Sequence, residues 1–264
     1  MRKDFLIDSG FDDDETDFVE RYWTEKWDEM GGPAGLEDRI PSKPEYKIMA
    51  PYIEKLPTGS RFLDGGCGLG DWTLYFSRAG YPTLGLDISR KTVATLQERF
   101  PEAEFEVGDI RGTGLPDASF DAYFSWGTFE HFESGLNPCI SEAYRVLKPG
   151  GLLFTSVPFD NLRHAFRAAG DWRKTAAPDH SAARFYQWRL TRGEFRDLLA
   201  REDFEVLDIH AIGKRQGVLR SLQHEFGMPY QWFASRALSA VLAPLMPSGL
   251  VAHMLLAVAR KPLD

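Results

Sequence analysis

Cysteine is scarce in this chain of 264 residues, which has only Cys67 and Cys139. Two cysteines provide neither a disulfide framework nor a metal-binding spacing, so we expect a reducing compartment. An excess of basic charge is also lacking, since the net charge is −8. Because the phosphates of nucleic acids are bound by clustered Lys and Arg, this composition predicts no nucleic-acid partner.

Sequence signals for export and membrane insertion are weak. The first residues lead into an acidic stretch and lack the apolar core of a signal peptide, which predicts a cytoplasmic protein. One long stretch, 237–259, has no Lys, Arg, Asp or Glu, but Pro244, Pro247 and Gly249 interrupt it. This pattern favours an apolar helix, a turn and a buried strand over a transmembrane span. Peripheral contact with a membrane surface stays open.

Strand and helix patterns alternate from residue 60 onward. The predicted strands are 60–64, 82–87, 103–107, 120–126, 150–156, 204–211 and 251–259, and the predicted helices are 70–79, 89–99, 135–147 and 192–201. Such alternation predicts a doubly wound, Rossmann-like α/β fold with a seven-stranded, mostly parallel sheet. In such a sheet the carboxyl ends of the parallel strands meet at one edge, where ligands bind.

Three segments lie outside this alternation. In 14–30, aromatic residues recur at helical spacing, which predicts a helix that either packs on the core or covers the site as a lid. The segments 157–190 and 213–250 are rich in aromatic residues, His and Arg. We therefore predict an N-terminal helical lid over 1–45, and a domain over 46–264 whose two insertions contribute a helical cap.

A glycine-rich turn follows the first predicted strand. Gly66, Gly68 and Gly70 let the backbone bend sharply and let a ligand approach it. The helix that begins near Asp71 directs its N-terminal amides at the same place. A dinucleotide-binding fingerprint would have its third glycine where Asp71 stands, so the spacing argues against a dehydrogenase.

Four further motifs follow the glycine turn in order. They are Leu84-Gly85-Leu86-Asp87, Gly108-Asp109-Ile110, the segment from Leu115 to Phe132 with Ser125-Trp126-Gly127-Thr128 near its end, and Arg145-Val146-Leu147-Lys148-Pro149-Gly150-Gly151. Together with the glycine turn, this series resembles the class I S-adenosylmethionine-dependent methyltransferases, in particular their small-molecule type 11 branch, over residues 60–157. The resemblance implies the Rossmann-like fold, S-adenosylmethionine as cofactor and S-adenosylhomocysteine as product.

The resemblance also implies roles for individual residues. The cofactor-binding set would comprise Gly66, Gly68 and Gly70 at the methionine part, Asp64 near the ammonium, Asp87 on the ribose hydroxyls, Asp109 and the Ile110 amide at the adenine edge, and Ile88 and Trp126 as a sandwich around the adenine ring. Two alternatives stay open. Asp87 could be the N-cap of the next helix, and Asp109 could be a turn residue.

The acceptor is less well defined than the cofactor. The resemblance implies methyl transfer to a small-molecule or lipid-like acceptor, with oxygen or nitrogen favoured over carbon. The aromatic insertions favour an apolar or aromatic compound. His131 is the best-placed candidate for a general base, with Tyr186 in support. His164 or His180 could line the pocket.

Other chemistries were also weighed from the sequence. Asp160-Asn161 is similar to the acid–amide pair of metal-dependent O-methyltransferases, but without a full ligand set we predict no metal. Two alternatives to methyl transfer stay open: a catalytically inactive cofactor-binding partner subunit, and a non-methylating enzyme that uses S-adenosylmethionine. The sequence leaves the oligomeric state undetermined.

Overall fold

The computed structural model describes residues 1–7, 14–33, 35–162 and 183–263. Its helices are α1 (Glu15–Glu29), α2 (Pro44–Ile53), α3 (Asp71–Arg78), α4 (Arg90–Arg99), α5 (Asn137–Val146), α6 (Arg192–Arg201), α7 (Lys214–Phe226), α8 (Phe233–Leu245) and α9 (Ser248–Val251). Its strands are β1 (Arg2–Ile7), β2 (Phe62–Gly65), β3 (Thr83–Asp87), β4 (Glu104–Val107), β5 (Phe120–Trp126), β6 (Leu147–Pro158), β7 (Ala183–Arg189), β8 (Glu205–Ile212) and β9 (Met254–Arg260). Short 3₁₀ helices cover Glu37–Ser42 and Phe129–His131.

Seven strands form one sheet in the order β4-β3-β2-β5-β6-β9-β8. The first five of these run parallel, whereas β9 is antiparallel to both β6 and β8. This arrangement confirms the predicted Rossmann-like fold. The carboxyl ends of β2, β3, β4 and β5 meet at one edge of the sheet, where the glycine turn follows β2.

The core lies on both faces of the sheet. Leu63, Tyr123 and Leu153 belong to one buried cluster, while their neighbours Phe62 and Phe154 belong to another. Adjacent residues of a strand point to opposite faces, so these two clusters are the cores above and below the sheet. The face on which a side chain lies decides which wall of the ligand edge it can form.

A second, two-stranded sheet corrects the predicted lid and cap. Strands β1 and β7 pair antiparallel, so Arg2–Ile7 and Ala183–Arg189 are not part of a helical lid or a helical cap. The paired residues, from Ile7 with Ala183 to Arg2 with Arg189, are 176–187 residues apart in the chain, and such a pairing leaves no local pattern to recognise. The predicted boundary between residues 45 and 46 also falls inside α2.

The structure describes all of the insertion 213–250 but only part of the insertion 157–190. The segment 213–250 forms α7, α8 and the start of α9, and is helical as predicted. In the other insertion, residues 163–182 lie outside the described part of the chain, and with them His164 and His180. Within the described residues, no helix is both long enough and apolar enough to cross a membrane.

Candidate active site

A cavity of about 260 Å³ lies at the carboxyl edge of the parallel strands. It is slightly smaller than the roughly 300–1,000 Å³ typical of ligand pockets. Its walls come from α1 and the following loop (Val19, Trp23, Trp27, Met30, Lys43), the glycine turn and α3 (Asp64, Gly66, Cys67, Gly68, Leu69, Asp71, Trp72), the ends of β3 and β4 (Asp87, Ile88, Gly108, Asp109, Ile110) and the segment after β5 (Trp126, Gly127, Thr128, His131, Phe132). Most of the predicted cofactor-binding residues therefore surround one space.

The glycine turn is closed from two sides. Gly66 and Gly68 both have positive φ angles, of +76° and +52°. A Cβ on Gly66 would lie 2.6 Å from Thr128, and a Cβ on Gly68 would lie 2.8 Å from Trp27. Any side chain at either position would therefore be strained and would also fill space between the turn and its neighbours.

Gly70 has a different role from the one predicted. It does not line the cavity but forms the N-terminal cap of α3, with a φ of +79°. A Cβ here would lie 2.7 Å from Leu96 and 3.1 Å from Phe105, which belong to the core beneath the turn. Gly70 is thus required for packing between α3 and α4, and sequence spacing alone does not distinguish this from ligand contact.

Asp87 connects the glycine turn to the loop after β3. One carboxylate oxygen accepts the Gly68 N–H at 2.8 Å, and the other accepts the Ser89 N–H at 2.9 Å. Asp87 is not the N-cap of α4, because Ser89 takes that place and its side chain accepts the Thr92 N–H. Burial raises the pKa of the Asp87 carboxyl, while hydrogen bonds from the backbone N–H groups of Ser89, Gly68 and Ile88 lower it.

Asp64 is buried beneath the turn beside a cation that sequence reasoning missed. Its carboxylate accepts the Thr73 hydroxyl at 2.8 Å, and burial raises its pKa to about 7. The charge of Lys43 lowers that pKa. Lys43 also lines the cavity, and its Nζ lies 5.4 Å from the centre of the Trp72 ring. A single Lys before a helix gives no sequence signal of such a role.

Asp109 lines the cavity but is held by Arg111, a residue not predicted from sequence. The Arg111 backbone N–H donates to Asp109 Oδ1 at 2.9 Å, which is the turn geometry considered as an alternative. The Arg111 guanidinium also contacts both oxygens, at 2.6–3.1 Å. It then reaches α1 through Glu15 and Thr16, at 2.7 and 2.8 Å. Arg111 therefore couples the adenine-side acid to the N-terminal helix.

The sandwich of Ile88 and Trp126 around the adenine ring stays a prediction. Both line the cavity, but Ile88 packs with the core on one face of the sheet and Trp126 with the core on the other. Ile110 shares the face of Ile88 and is almost fully buried. Ile88 and Ile110 therefore contribute to one part of the cavity wall and Trp126 to another, a distinction that depends on which face each strand end presents.

Helix α1 is both a packing helix and a wall of the cavity. Phe18 is buried in the core, Val19 is buried and also lines the cavity, and Trp23 and Trp27 line the cavity. Glu20 holds the helix to Arg90 at 3.0 Å. The packing interpretation of the aromatic pattern is thus confirmed, and the lid stays a prediction that the cavity-lining tryptophans support.

His131 lies in the cavity wall as predicted, in a strongly buried position. Its Nδ1 is 2.8 Å from the Tyr186 carbonyl oxygen, and its ring packs edge-on against Trp23. Burial lowers the pKa of His131 to about 4, despite the carbonyls of Tyr186 and Gly127, which raise it. The imidazole is therefore neutral at neutral pH and, if Nδ1 carries the proton that Tyr186 accepts, Nε2 keeps a lone pair.

Tyr186 and Glu130 lie next to His131 and do not line the cavity. The Tyr186 ring lies 5.1 Å from that of His131 but does not line the cavity, and burial raises the pKa of its phenol. Glu130 is 2% exposed, and burial raises its pKa to about 8. Its Oε2 has no hydrogen-bond partner among the described residues. Tyr186 thus supports the position of His131 through its carbonyl.

Asp160 and Asn161 make contacts within the protein. Asp160 pairs with Arg2 at 2.6 Å, and the Asn161 amide donates to the Ala252 carbonyl at 2.9 Å. In the described part of the chain, no group of three His, Cys, Asp or Glu residues is arranged to hold a metal ion. The absence of a metal stays a prediction.

The cavity fits the cofactor that the sequence resemblance implies. Gly66 and Gly68 line the cavity with bare backbone, and Asp64, Asp87 and Lys43 in the same lining provide charges of both signs. Trp27 and Trp126 each carry a buried Nε1–H for which the described residues provide no acceptor. A ligand with hydroxyl and carboxylate oxygens would supply such acceptors.

Comparison with known proteins agrees with this geometry. A family model described as a methyltransferase domain matches residues 63–155. A probable S-adenosylmethionine-dependent methyltransferase of Mycolicibacterium smegmatis is 30% identical over 152 residues, which are 57% of this chain and 54% of that protein. A malonyl-[acyl-carrier protein] O-methyltransferase of Erwinia billingiae is 33% identical over 121 residues, or 46% and 47% of the two chains. The chain therefore spans about half the length of these curated relatives.

Solved structures show the same fold. Burkholderia thailandensis 1,6-didemethyltoxoflavin-N1-methyltransferase, with bound 1,6-didemethyltoxoflavin and S-adenosylhomocysteine, aligns with a TM-score of 0.57 over 94% of this chain and 87% of that chain. The identity of 19% makes this a likeness of fold alone. The motif series, the sheet order and the matched segment 63–155 agree with one another, and each is similar to the type 11 branch of the class I S-adenosylmethionine-dependent methyltransferases.

Proposed function

We propose that this protein transfers a methyl group from S-adenosylmethionine to a small-molecule or lipid-like acceptor. The observation that carries the proposal is the convergence of the glycine turn, Asp64 and Asp87 on one cavity closed by α1. The relatives named above support it, since their names describe methyltransferases.

The cofactor would be held by residues of three strand ends. Asp87 can still accept from the ribose hydroxyls, because a carboxylate has about four acceptor sites and the Gly68, Ser89 and Ile88 N–H groups do not use all of them. Asp64 would face the ammonium, and Lys43 offers a cation for the carboxylate of the methionine part. Ile88 and Ile110 would contact the adenine ring. Asp109 would meet the adenine amino group, in an orientation set by Arg111.

The bound cofactor supplies an electrophilic methyl group on a sulfonium with a neutral leaving group. The protein then has to align the acceptor and exclude water. Trp23 and Trp27 from the lid and Trp72 from α3 provide apolar walls for this purpose. The cavity of about 260 Å³ is small for a cofactor together with an acceptor, and a shift of α1, which forms one wall, would enlarge it.

The state of His131 bears on the acceptor atom. With a pKa of about 4, His131 is a weak base, although its Nε2 lone pair can still accept a hydrogen bond. This favours acceptors that already carry a reactive lone pair, such as a carboxylate oxygen or a neutral amine nitrogen, over a carbon that must first lose a proton. The apolar and aromatic wall favours a largely apolar acceptor.

Calorimetric titration with S-adenosylhomocysteine tests the cofactor site. We expect binding in the micromolar range, and we expect Asp87→Asn to weaken it at least about tenfold because the neutral amide is a poorer acceptor. Asp121→Asn is the matched control. That carboxylate also accepts a backbone N–H, from Arg61 at 2.8 Å, but lies away from the cavity. Equal losses in both variants would contradict the assignment of Asp87.

An acceptor screen with S-adenosylmethionine then separates the alternatives. Methylated product from any apolar carboxylic acid, amine or phenol supports the proposal. Consumption of an offered compound without a methylated product would identify a non-methylating enzyme. Cofactor binding with no reaction across the panel would favour the inactive partner subunit.

A further inference from the structure

Helix α8 has its polarity reversed relative to an ordinary surface helix. The residues that it buries are Ser235, Ser239 and Ala243, at four-residue spacing. Both serine hydroxyls donate to nearby backbone carbonyls, those of Pro229 and Arg236, at 2.8 Å. The fully buried stripe is therefore small and partly polar, with the half-buried Leu242 and Met246 packed beside it, whereas a surface helix normally buries most of its large apolar residues.

The outward face of α8 and the loop before it is strongly apolar. Phe233 is 87% exposed, Leu245 77% and Val241 64%. Of the fourteen large hydrophobic residues exposed in the described part of the chain, seven lie between Phe226 and Leu245. They are Phe226, Tyr230, Trp232, Phe233, Leu238, Val241 and Leu245. A contiguous apolar surface of this kind marks an interaction site.

The charge of this segment is opposite to that of the rest of the chain. The segment 213–250 contains four basic residues, Lys214, Arg215, Arg220 and Arg236, and one acidic residue, Glu225. Its net charge is thus +3, in a chain with a net charge of −8. Arg215 and Arg236 are exposed beside the apolar face. Apolar residues flanked by basic ones match the boundary of an anionic lipid bilayer.

We propose that α7 and α8 dock this protein on the surface of an anionic lipid bilayer, with the apolar face of α8 at the headgroup–acyl boundary. A second copy of the chain is a poorer occupant, because a two-fold interface would bring the basic residues of both copies together. The helix of 13 residues lies along the surface and does not span the bilayer. The inference does not depend on the proposed methyl transfer.

Vesicle flotation tests the docking surface. We expect the wild-type protein to float with phosphatidylcholine vesicles that contain phosphatidylglycerol, and to bind pure phosphatidylcholine more weakly. Binding to the mixed vesicles should fall as salt is raised. Phe233→Asp should lower vesicle affinity by about tenfold or more. The change removes an apolar ring that would enter the headgroup–acyl boundary, and the new carboxylate carries the same negative charge as the lipid headgroups.

A matched pair of leucines provides the control. Leu245 in α8 is 77% exposed and Leu263 near the C-terminus is 75% exposed. Leu245→Asp should weaken vesicle binding, and Leu263→Asp should leave it unchanged. Circular dichroism and titration with S-adenosylhomocysteine report whether each variant is folded, because no residue of α8 lines the described cavity.

Three results would overturn the proposal. The first is wild-type protein that binds neither kind of vesicle. The second is an equal loss of binding in Leu245→Asp and Leu263→Asp. The third is a wild-type dimer in light scattering that Phe233→Asp dissociates, without vesicle binding, because a second copy would then cover the face.

Discussion

The floor and the roof of the cavity are built in different ways. The floor consists of parallel strand ends joined to helices by short loops, and its functional residues follow one another within residues 64–110. The roof consists of α1 (residues 15–29) and His131, with Tyr186 packed behind His131. These three parts are distant in the chain. The floor therefore depends on local turns, while the roof depends on contacts between distant segments. Substitutions in the floor should alter cofactor binding, and those behind the roof should mainly alter stability and its pH dependence.

Glu130→Gln should have the largest effect on stability. It tests the buried region behind the roof, where Glu130 lies next to His131. The pKa of Glu130 is about 8 in the folded protein against an ordinary 4.5, so the folded protein keeps a proton that the unfolded chain loses between those values. The stability this contributes is complete below about pH 4.5 and is lost as the pH rises to about 8. A glutamine has no such loss. The unfolding free energy of the variant relative to wild type should therefore increase by about 2–4 kcal/mol between about pH 5 and pH 9.

Denaturant unfolding at several pH values measures this difference. Glu142→Gln is a control of opposite sign, because hydrogen bonds from Arg145 lower the pKa of Glu142 to about 2. The stability from Glu142 is present above its unfolded pKa and is lost as the pH falls, so that variant should be less stable than wild type at neutral pH. A pH-independent effect of Glu130→Gln would contradict a buried neutral acid behind His131.

Gly68→Ala should have the next largest effect and tests the contact between floor and roof. The new methyl group would lie 2.8 Å from Trp27 at a φ of +52°. We expect affinity for S-adenosylhomocysteine to fall at least about tenfold, since the turn and the lid must both shift. Gly59→Ala separates backbone strain from the clash, because Gly59 has a φ of +82° with nothing within 4 Å.

The control should lose roughly 1 kcal/mol of stability and no affinity. Calorimetry and thermal unfolding of the two variants give both quantities. If both variants keep wild-type affinity, the glycine turn does not meet the cofactor where we place it.

Arg111→Ala should have the smallest effect on affinity. It removes the side chain that connects Asp109 in the floor to α1 in the roof. It removes the ion pairs from Asp109 and from Glu15 of α1 together. Asp109 would lose its fixed orientation and α1 one of its attachments, so affinity for S-adenosylhomocysteine should fall by about threefold, or about 0.7 kcal/mol. Lys91→Ala is the matched control, because it also removes an ion pair to α1, with Asp28 at 2.6 Å, but without touching Asp109. Equal effects of the two changes would show that only attachment of α1 matters.

Prediction from sequence was more accurate for the floor of the cavity than for its roof. Strand β5 and helix α6 have the predicted boundaries, and Asp64, Gly66, Gly68 and Asp87 line one cavity, while their roles toward the cofactor stay predictions. Their signals are local: an apolar run, a cap, a glycine. Strands β1 and β7 were missed because neither has a signal until it meets the other. Arg111 and Lys43 were missed because a single basic residue has many possible partners.

The sequence by itself determined the α/β class, the glycine turn and the order of acidic residues at the strand ends, because each depends on residues close together in the chain. Only the tertiary structure decided that Ile110 and not Trp126 shares the face of Ile88, that Arg111 holds Asp109, and that burial keeps His131 neutral and Glu130 protonated. It also showed that the exposed face of α8 is its apolar one. These properties depend on which distant side chains exclude water from a position, and the chain settles that only when the sheet and its added elements have assembled.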